Sequence, residues 1–418
     1  MNAATGAGVG YGRIRWAILA LLFLSTVLNY VDRQTLSILA TTVQADLHIS
    51  DTGYAGIVQL FLIAYTLAYL GVGWVTDRLG PKLALALFVA WWSAANMLTG
   101  LVHSATQLGA ARFLLGLGEA GNYVAAPKTV AERFPRQERG FAVGVYTAGA
   151  MVGATVAPPL IGWLALSHGW RAAFLATGGL GFAWLILWLL VYRGKAPAPE
   201  AEAGETGEAW PLRRVLAHRA VWGLALARTL TDPVWYFYLF WFPKYLIDAR
   251  GLTLLTVAAT AWIVYLAADG GSILGGVASG RLVRRGTAAP VARLRLMGVA
   301  AALAPVGGLI ALQPAVPFTY ALVAIVAFAH MAFLVNLTTL AVDIFPQRQI
   351  GTIFGLIAAG SGLGGILSTG IVGQVAEGKD YAPLFVAMAV LHPLGWALAR
   401  FATMGHRKTM KEGMAHAA

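Results

Sequence analysis

The sequence predicts an all-α membrane protein of twelve transmembrane helices in two six-helix pseudo-repeat bundles, and three observations predict it. The 418 residues are 58% hydrophobic and only 11% charged, against about 25% charged in an ordinary soluble domain, and mean hydropathy is +0.69. Apolar runs of about 20 residues, enough to cross a bilayer, recur along the whole length. Finally, FPRQERGFAVGVYTAGAMVGATVAPPLIG from Phe134 and FPQRQIGTIFGLIAAGSGLGGILSTGIVG from Phe345 repeat each other at an offset of 211.

Taken in order, the runs are 15–42, 53–76, 82–104, 107–131, 140–166, 170–193, 219–247, 254–280, 291–312, 317–344, 351–376 and 381–403. The first continues through charged residues into further spans and has no small-residue cleavage pattern, so it is a span and not a signal peptide. A Pro-, Ala- and Glu-rich then basic stretch, APAPEAEAGETGEAWPLRRVLAHR at about 196–219, reads as a solvated linker that divides the spans six and six. The expected organisation is therefore an N-terminal bundle over 1–193, a cytoplasmic linker over 194–218, a C-terminal bundle over 219–404 and a cytoplasmic tail over 405–418. At the 211 offset Gly140, Gly144, Gly149, Gly153 and Gly162 fall on Gly351, Gly355, Gly360, Gly364 and Gly373. A weaker echo links GWVTDRLG at Gly73 with GGVASGRLVRRG near Gly276. Duplicated halves of this kind point to a transporter with its substrate site near the bilayer midplane.

The net charge of +12 sets topology. Of the 30 Lys and Arg, 22 fall in loops and tails on the side of the N-terminus, 4 in loops on the other side (Arg171, Lys244, Arg250, Lys379) and 4 within spans (Arg33, Arg112, Lys128, Arg228). That is the positive-inside pattern with both termini cytoplasmic, and it is no signal for nucleic acid. No cysteine is present, which excludes disulfides, thiolate metal sites and cysteine nucleophiles. The string Gly116-Leu-Gly-Glu-Ala-Gly121 lies inside a span with no preceding strand, so it is not a dinucleotide loop. No nucleophile, metal or cofactor motif stands out, and the chain does not read as an enzyme. A membrane sensor of similar build would carry an extra signalling domain, for which the linker is too short.

GWVTDRLGPK, from Gly73 to Lys82, matches the G-x-x-x-D-R-x-G-x-K loop signature of the major facilitator superfamily. NYVDR in the first span, RFLLGLGEAGNYVAAPKTVAERFP in the fourth and ARTLTDPVWYFYLFWFPKYL in the seventh resemble the anion:cation symporter family within it. The likeness is greatest to hexuronate and other sugar-acid transporters, and it covers nearly the whole chain. The resemblance implies two bundles rocking about a central site, a monomeric inner-membrane protein, and inward movement of a sugar acid with protons, the proton being the coupling ion and no cofactor or metal being needed. The rival is the same fold moving an aromatic or dicarboxylic acid. Some aldonate transporters carry a glutamine where this chain has Ala150, an asparagine at Ala358 and a tryptophan at Thr338. Asp232-Pro233-Val234-Trp235 and Asn336 fit the hexuronate branch better.

Charges inside spans carry the chemistry, because each costs about 2.5–3.5 kcal/mol even on a lenient insertion scale. Arg112 and Glu119 are seven apart and so stack on one helix face. With Asp32 they form the expected proton-coupling set, since a buried carboxyl that gains or loses a proton as an anion binds is what a symporter needs. Arg33 is the expected ligand of a substrate carboxylate through its bidentate fork; otherwise it is the counter-ion of Asp32. Tyr30 and Tyr65 match tyrosines that line the family's sugar-acid site. Trp235 and Tyr238 can stack on a sugar face, and Asn122 and Asn336 can meet hydroxyls. Arg228 and Asp232, spaced i, i+4, are expected to neutralise each other. Asp77, Arg78, Glu132 and Asp343 read as gating groups that hold and release basic loop residues. Asp269 and Lys128 receive no role from the sequence.

The charge asymmetry generates one prediction. In this cysteine-free chain, a single cysteine at position 250 should react with an impermeant maleimide added to intact cells, and one at position 205 should not. The reverse labelling pattern would overturn the assigned topology.

Overall fold

A computed structural model describes residues 4–193, 210–253, 256–257, 260, 262–377 and 380–415. Most of the linker expected at 194–218, and Lys379, lie outside the described residues. All regular structure among the described residues is helical: α1 (Ala4–Ile38), α2 (Ala40–Leu47), α3 (Asp51–Thr99), α4 (Ala105–Glu119), α5 (Asn122–Arg133), α6 (Arg136–His168) and α7 (Trp170–Val191) come first. They are followed by α8 (Leu212–Ala217), α9 (Arg219–Tyr236), a π-helical turn (Phe237–Trp241) and α10 (Phe242–Asp248). The last are α11 (Trp262–Arg284), α12 (Ala289–Leu303) with a 3-10 extension to Leu312, α13 (Val316–Ile344), α14 (Ile350–Glu377) and α15 (Ala382–Ala415).

Nine helical stretches among the described residues are long and apolar enough to cross a membrane, where the sequence showed twelve apolar runs. Three local features account for the difference. The runs 53–76 and 82–104 form α3 together, interrupted where Gly80 takes a left-handed φ of 75° before Pro81. The run 107–131 is broken at Ala120–Gly121 into α4 and α5, each too short alone. The run 219–247 is divided by the π turn that follows Pro233, whose missing N–H weakens the ladder there. Each feature is a backbone event that hydropathy does not record. The start of α4 is chemically marked: Ser104 Oγ caps it by accepting from the amide of Gln107 at 3.3 Å, while Gln107 Oε1 accepts from the amide of His103, one residue before the cap, at 2.7 Å.

The chain forms two compact units. Unit 1 is drawn from Met1–Pro135, Val145–Thr206 and Gln347–Gly355; unit 2 from Arg136–Gly144, Gly207–Pro346 and Leu356–Ala418. Each unit thus takes in nine residues from the opposite half of the sequence, and the two pieces, 136–144 and 347–355, are related by the same offset of 211.

The repeated glycines explain this exchange. In unit 1, a Cβ on Gly149 or Gly153 would lie 2.6 Å from the carbonyl oxygens of Phe23 or Val27, so α6 crosses α1 backbone to backbone. In unit 2, a Cβ on Gly360 or Gly364 would lie 2.3 or 2.5 Å from those of Ala225 or Thr229, the same crossing of α14 on α9. The earlier glycines do likewise: Gly140 and Gly144 meet Gly276 and Ser272 of α11, and Gly351 and Gly355 meet Gly73 and Tyr69 of α3. Close approach of small residues is the chief source of helix adhesion in lipid, where burial of apolar side chains gives no advantage. The crossings also set the register of the other helices, matching Phe23 with Ala225 and Val27 with Thr229.

This geometry predicts a graded mutational response. Gly149→Ala should lower the thermal unfolding temperature of detergent-purified protein, with an overpacking penalty of about 1–3 kcal/mol. Gly162→Ala, in the same repeat but with nothing within 4 Å of the added carbon, should leave it unchanged. Equal melting of both variants would remove the crossing role. The topology test, in turn, is cleaner from His103, which is exposed, than from Arg250, which hydrogen-bonds Tyr245, Thr319 and the Pro314 carbonyl.

Candidate functional site

In unit 1 the break between α4 and α5 organises the polar chemistry. Gly121 is needed there, since a Cβ would fall 2.1 Å from the Phe88 ring. Glu119 ends α4 with its side chain fully buried. Its backbone carbonyl, freed by the break, accepts from Asn29 Nδ2 at 3.4 Å. Arg33 reaches the carboxylate from α1 and places both Nε (2.9 Å) and Nη2 (2.7 Å) on Oε2. Nη2 also approaches Asn29 Oδ1 at 3.4 Å. The guanidinium is 29% exposed at the side chain while Glu119 is 0% exposed, and three rings surround it: Tyr65 at 4.7 Å, Tyr30 at 5.2 Å and Phe61 at 5.5 Å. Tyr69 Oη donates to Tyr65 Oη at 3.0 Å and so fixes the first of these rings. Among the described residues, no protein donor reaches Glu119 Oε1.

Two expected pairings are replaced. Arg33 is not the counter-ion of Asp32; adjacent on the helix, they diverge. Asp32 Oδ1 accepts instead from Asn96 Nδ2 at 2.7 Å, and the same amide donates to Thr177 Oγ1 at 2.8 Å, tying α1 to α3 and α7. Nor does Arg112 pair with Glu119. Seven residues of helix rise separate them by about 10 Å, and Arg112 lies over the Phe174 ring at 5.3 Å with Nε and Nη2 unbonded among the described residues. Asp32 Oδ2 is likewise unbonded and buried.

The asparagines expected to meet substrate hydroxyls are both buried and bond neighbouring helices. Asn122 is fully buried; its Oδ1 accepts from Ser25 at 2.9 Å and its Nδ2 donates to Thr26 at 3.1 Å, so it pins α5 to α1. Asn336 Nδ2 donates to the carbonyls of Ala332 and Gly275 at 2.8 and 3.1 Å, tying α13 to α11. Both amides thus bridge helices, and Asn336 Oδ1 is left unbonded among the described residues.

The four gating residues divide. Asp77 accepts from Lys128 Nζ (2.6 Å) and from the amides of Gly351 (2.9 Å) and Thr352 (2.6 Å) at the start of α14, plus the Thr352 hydroxyl (2.6 Å). Lys128, without a role in the sequence, is thus its cation. Asp343 is held by Arg139 Nη1 and Arg293 Nε, each at 3.1 Å, and Arg293 also donates to Ser279 and to the Arg136 carbonyl. Arg78, by contrast, is exposed and stacks on Trp74, and Glu132 holds no basic group among the described residues. The repeat places Glu132 opposite Asp343 in sequence; Arg139 and Arg293 hydrogen-bond the latter, whereas Lys128 and Arg133 act on Glu132 only through their charge.

In unit 2, Arg228 donates Nε and Nη2 to Asp232 Oδ2 at 2.9 and 2.7 Å, the i, i+4 pair that the sequence showed. Trp235 is buried and stacks on His330 at 5.6 Å with planes 4° apart. Tyr238 lies in the π turn, packed edge-on against Phe237 and Phe242. His330 Nδ1 is 3.1 Å from His392 Nε2, and both rings are buried. Sequence reasoning missed this pair, although the 211 offset, carried from Glu119, lands on His330.

The Major Facilitator Superfamily profile matches residues 22–369. The chain is 33% identical over 398 residues to the hexuronate transporter of Escherichia coli strain K12, covering 91% of this chain and 92% of that protein. It is 28% identical over 411 residues to the D-galactonate transporter of E. coli O6:H1, covering 92% and 94%. A solved structure of the proton:xylose symporter XylE superposes with a TM-score of 0.73 at 14% identity, over 95% of this chain and 96% of that one; that likeness concerns the fold.

The bridging role of Asn122 is testable. Asn122→Ala should reduce thermal stability by about 1–3 kcal/mol, the worth of two buried hydrogen bonds, with Ser25 and Thr26 keeping only the Leu22 carbonyl, and should leave anion affinity within about twofold, a difference of only a few tenths of a kcal/mol. Normal melting with abolished binding would return Asn122 to the ligand.

Proposed function

The chain belongs to the major facilitator superfamily of membrane transporters, and on that premise we propose that it imports a sugar-acid monoanion, a hexuronate or a related acid, across the inner membrane together with protons. One observation carries the reading: an arginine locked by two hydrogen bonds onto a single oxygen of a fully buried glutamate, at a break in a membrane helix. A partly exposed guanidinium inside a bilayer is a receptor for a carboxylate, because it can give two parallel N–H bonds. Discontinuous helices are where transporters place such sites. The names of the relatives, hexuronate and galactonate transporters, support a sugar acid as the anion.

The mechanism follows from sharing one guanidinium between two carboxylates. While Arg33 holds Glu119, the pair is neutral and the proton is not needed. When an incoming carboxylate takes the fork of Arg33, Glu119 is left buried with no cation on it, and burying an unpaired charge costs several kcal/mol. A proton on Glu119 removes that charge, so anion and proton enter as one neutral load. Tyr30, Phe61 and Tyr65 hold the guanidinium plane during the exchange by cation–π contact. Asp32, buried beside Asn96 with one free oxygen, is the second acid able to carry a proton. Asp77 with Lys128 and Asp343 with Arg139 and Arg293 are the ion clusters that must open and re-form as the transporter changes state.

The test uses proteoliposomes and radiolabelled glucuronate, galacturonate, galactonate and benzoate. The wild type should accumulate a uronate under an inward proton gradient. Glu119→Gln imitates the protonated carboxyl but cannot release a proton, so it should retain counterflow of that uronate and lose gradient-driven accumulation. Intact accumulation by this variant would move the coupling to Asp32. Transport of benzoate but of no sugar acid would sink the substrate class.

A further inference from the structure

The two halves repeat their helix crossings but not their chemistry at the matching positions. The glycine crossings align Phe23 with Ala225 and Val27 with Thr229, and the same register carries Arg33 of α1 onto Trp235 of α9. The 211 offset carries Glu119 of α4 onto His330 of α13. Unit 2 therefore answers the Arg33–Glu119 ion pair of unit 1 with a Trp235–His330 stack, and His330 has a second imidazole, His392 of α15, as its hydrogen-bond partner.

The bonding of that pair has a consequence. His330 Nδ1 and His392 Nε2 are 3.1 Å apart, so one proton lies between them when both rings are neutral. Neither His330 Nε2 nor His392 Nδ1 has a partner among the described residues, and both are buried. If His330 donates, its Nε2 is a bare lone pair and His392 Nδ1 carries an unused N–H. If His392 donates, the two outer ends exchange roles. Either arrangement leaves one buried acceptor and one buried donor at opposite ends of the pair, where buried polar groups are otherwise almost always satisfied. The rings themselves are fixed: Trp235 covers His330 in parallel, Phe333 meets His392 edge-on, and the two imidazoles stand at 89°.

We infer that His330 and His392 form a proton relay in unit 2, distinct from Glu119, that takes up a proton at one outer nitrogen and releases one at the other. A proton arriving at His330 Nε2 makes that ring a cation. The shared proton then moves from Nδ1 to His392 Nε2, and His392 gives up the proton on its Nδ1. One proton enters, one leaves, and no other atom changes hands; the opposite tautomer pair that results passes its next proton in the opposite direction. The charged groups that act on the pair are Arg228 and Asp232 of α9, which are bound to each other. They can favour one direction of transfer without joining it. This role rests on the proton-coupled reading proposed above, to which it adds a second proton-handling site.

Nitrogen-15 spectra of histidine-labelled full-length protein in nanodiscs test the relay without reference to any substrate. Signals absent from His330→Gln or His392→Gln assign the two rings. In the wild type they should report both neutral tautomers in exchange between about pH 5 and 8, the range of histidine switching, and each substitution should fix the other ring in one tautomer. A single static tautomer pair across that range would overturn the relay. The transport arm uses glucuronate in proteoliposomes: His392→Gln should keep counterflow and lose gradient-driven uptake by on the order of 100-fold, as for loss of a positioned proton-transfer group. Gradient-driven uptake equal to wild type would also overturn it. Exchanging tautomers in a protein that moves no uronate would leave the relay standing and sink only the substrate reading.

Discussion

A guanidinium carried into hydrocarbon must keep a counter-charge, and much of unit 1 is arranged around that requirement for Arg33. The counter-charge is Glu119, and it is reachable because α4 stops at that residue. The stop itself depends on Gly121, whose lack of a side chain admits the Phe88 ring, and on Asn29, which takes the freed carbonyl. Asn122, the first residue after the break, then fastens α5 to Ser25 and Thr26 on α1. The ion pair is thus held by hydrogen bonds on both sides of the interrupted helix, and its rings restrict the guanidinium to a plane. Removing one partner would leave a buried charge alone, which is far more costly than never having buried the pair.

The sequence made the fold legible because its strongest signals are one-dimensional: apolar runs, a basic asymmetry and glycines in register. The glycines were legible as a repeat, but their reason was not, since a crossing needs the partner backbone. The site was legible by residue type and poorly legible by pairing. Asp32, Arg33, Arg112 and Glu119 stood out as charges in apolar surroundings. Their partners lie on other helices, which no spacing within one helix reports. The heptad spacing of Arg112 and Glu119 placed both on one face yet too far apart to touch, while Arg33, 86 residues distant in sequence, is the true neighbour. Asn122 and Asn336 show the converse: an amide in a span reads as a ligand group until the hydroxyls or carbonyls that it bonds on other helices are visible.

Duplication explains why two units with the same crossings can differ in chemistry. Backbone contact between glycines and carbonyls constrains the small residues and says nothing about the next turn of each helix. Arg33 and Trp235, or Glu119 and His330, occupy matching places on matching helices and are free to diverge. Asp77, held by Lys128, and Gly280, which has no side chain, are a similar divergence at matching places in the related loops. The exchanged segments 136–144 and 347–355 stay alike because each must pass a carbonyl at close range. Packing therefore preserves the repeat where function does not act, and function erases it where packing leaves room.

Asymmetry of this kind suits coupled transport. An anion needs a cation that it can take over, and the cation must first be held by something the protein can neutralise. One unit supplies both in Arg33 and Glu119. A second ion pair of that type exists in unit 2, but Arg228 and Asp232 lie one turn apart on a single helix and so can stay together in any arrangement of the helices around them. Such a pair has no reason to exchange partners when an anion arrives. The Arg33–Glu119 pair spans two helices, so helix movement can strain it and an incoming carboxylate can replace one member. On the proposed reading, coupling belongs to the pair whose members are on separate elements, and the pair confined to one helix balances charge on α9 within the membrane.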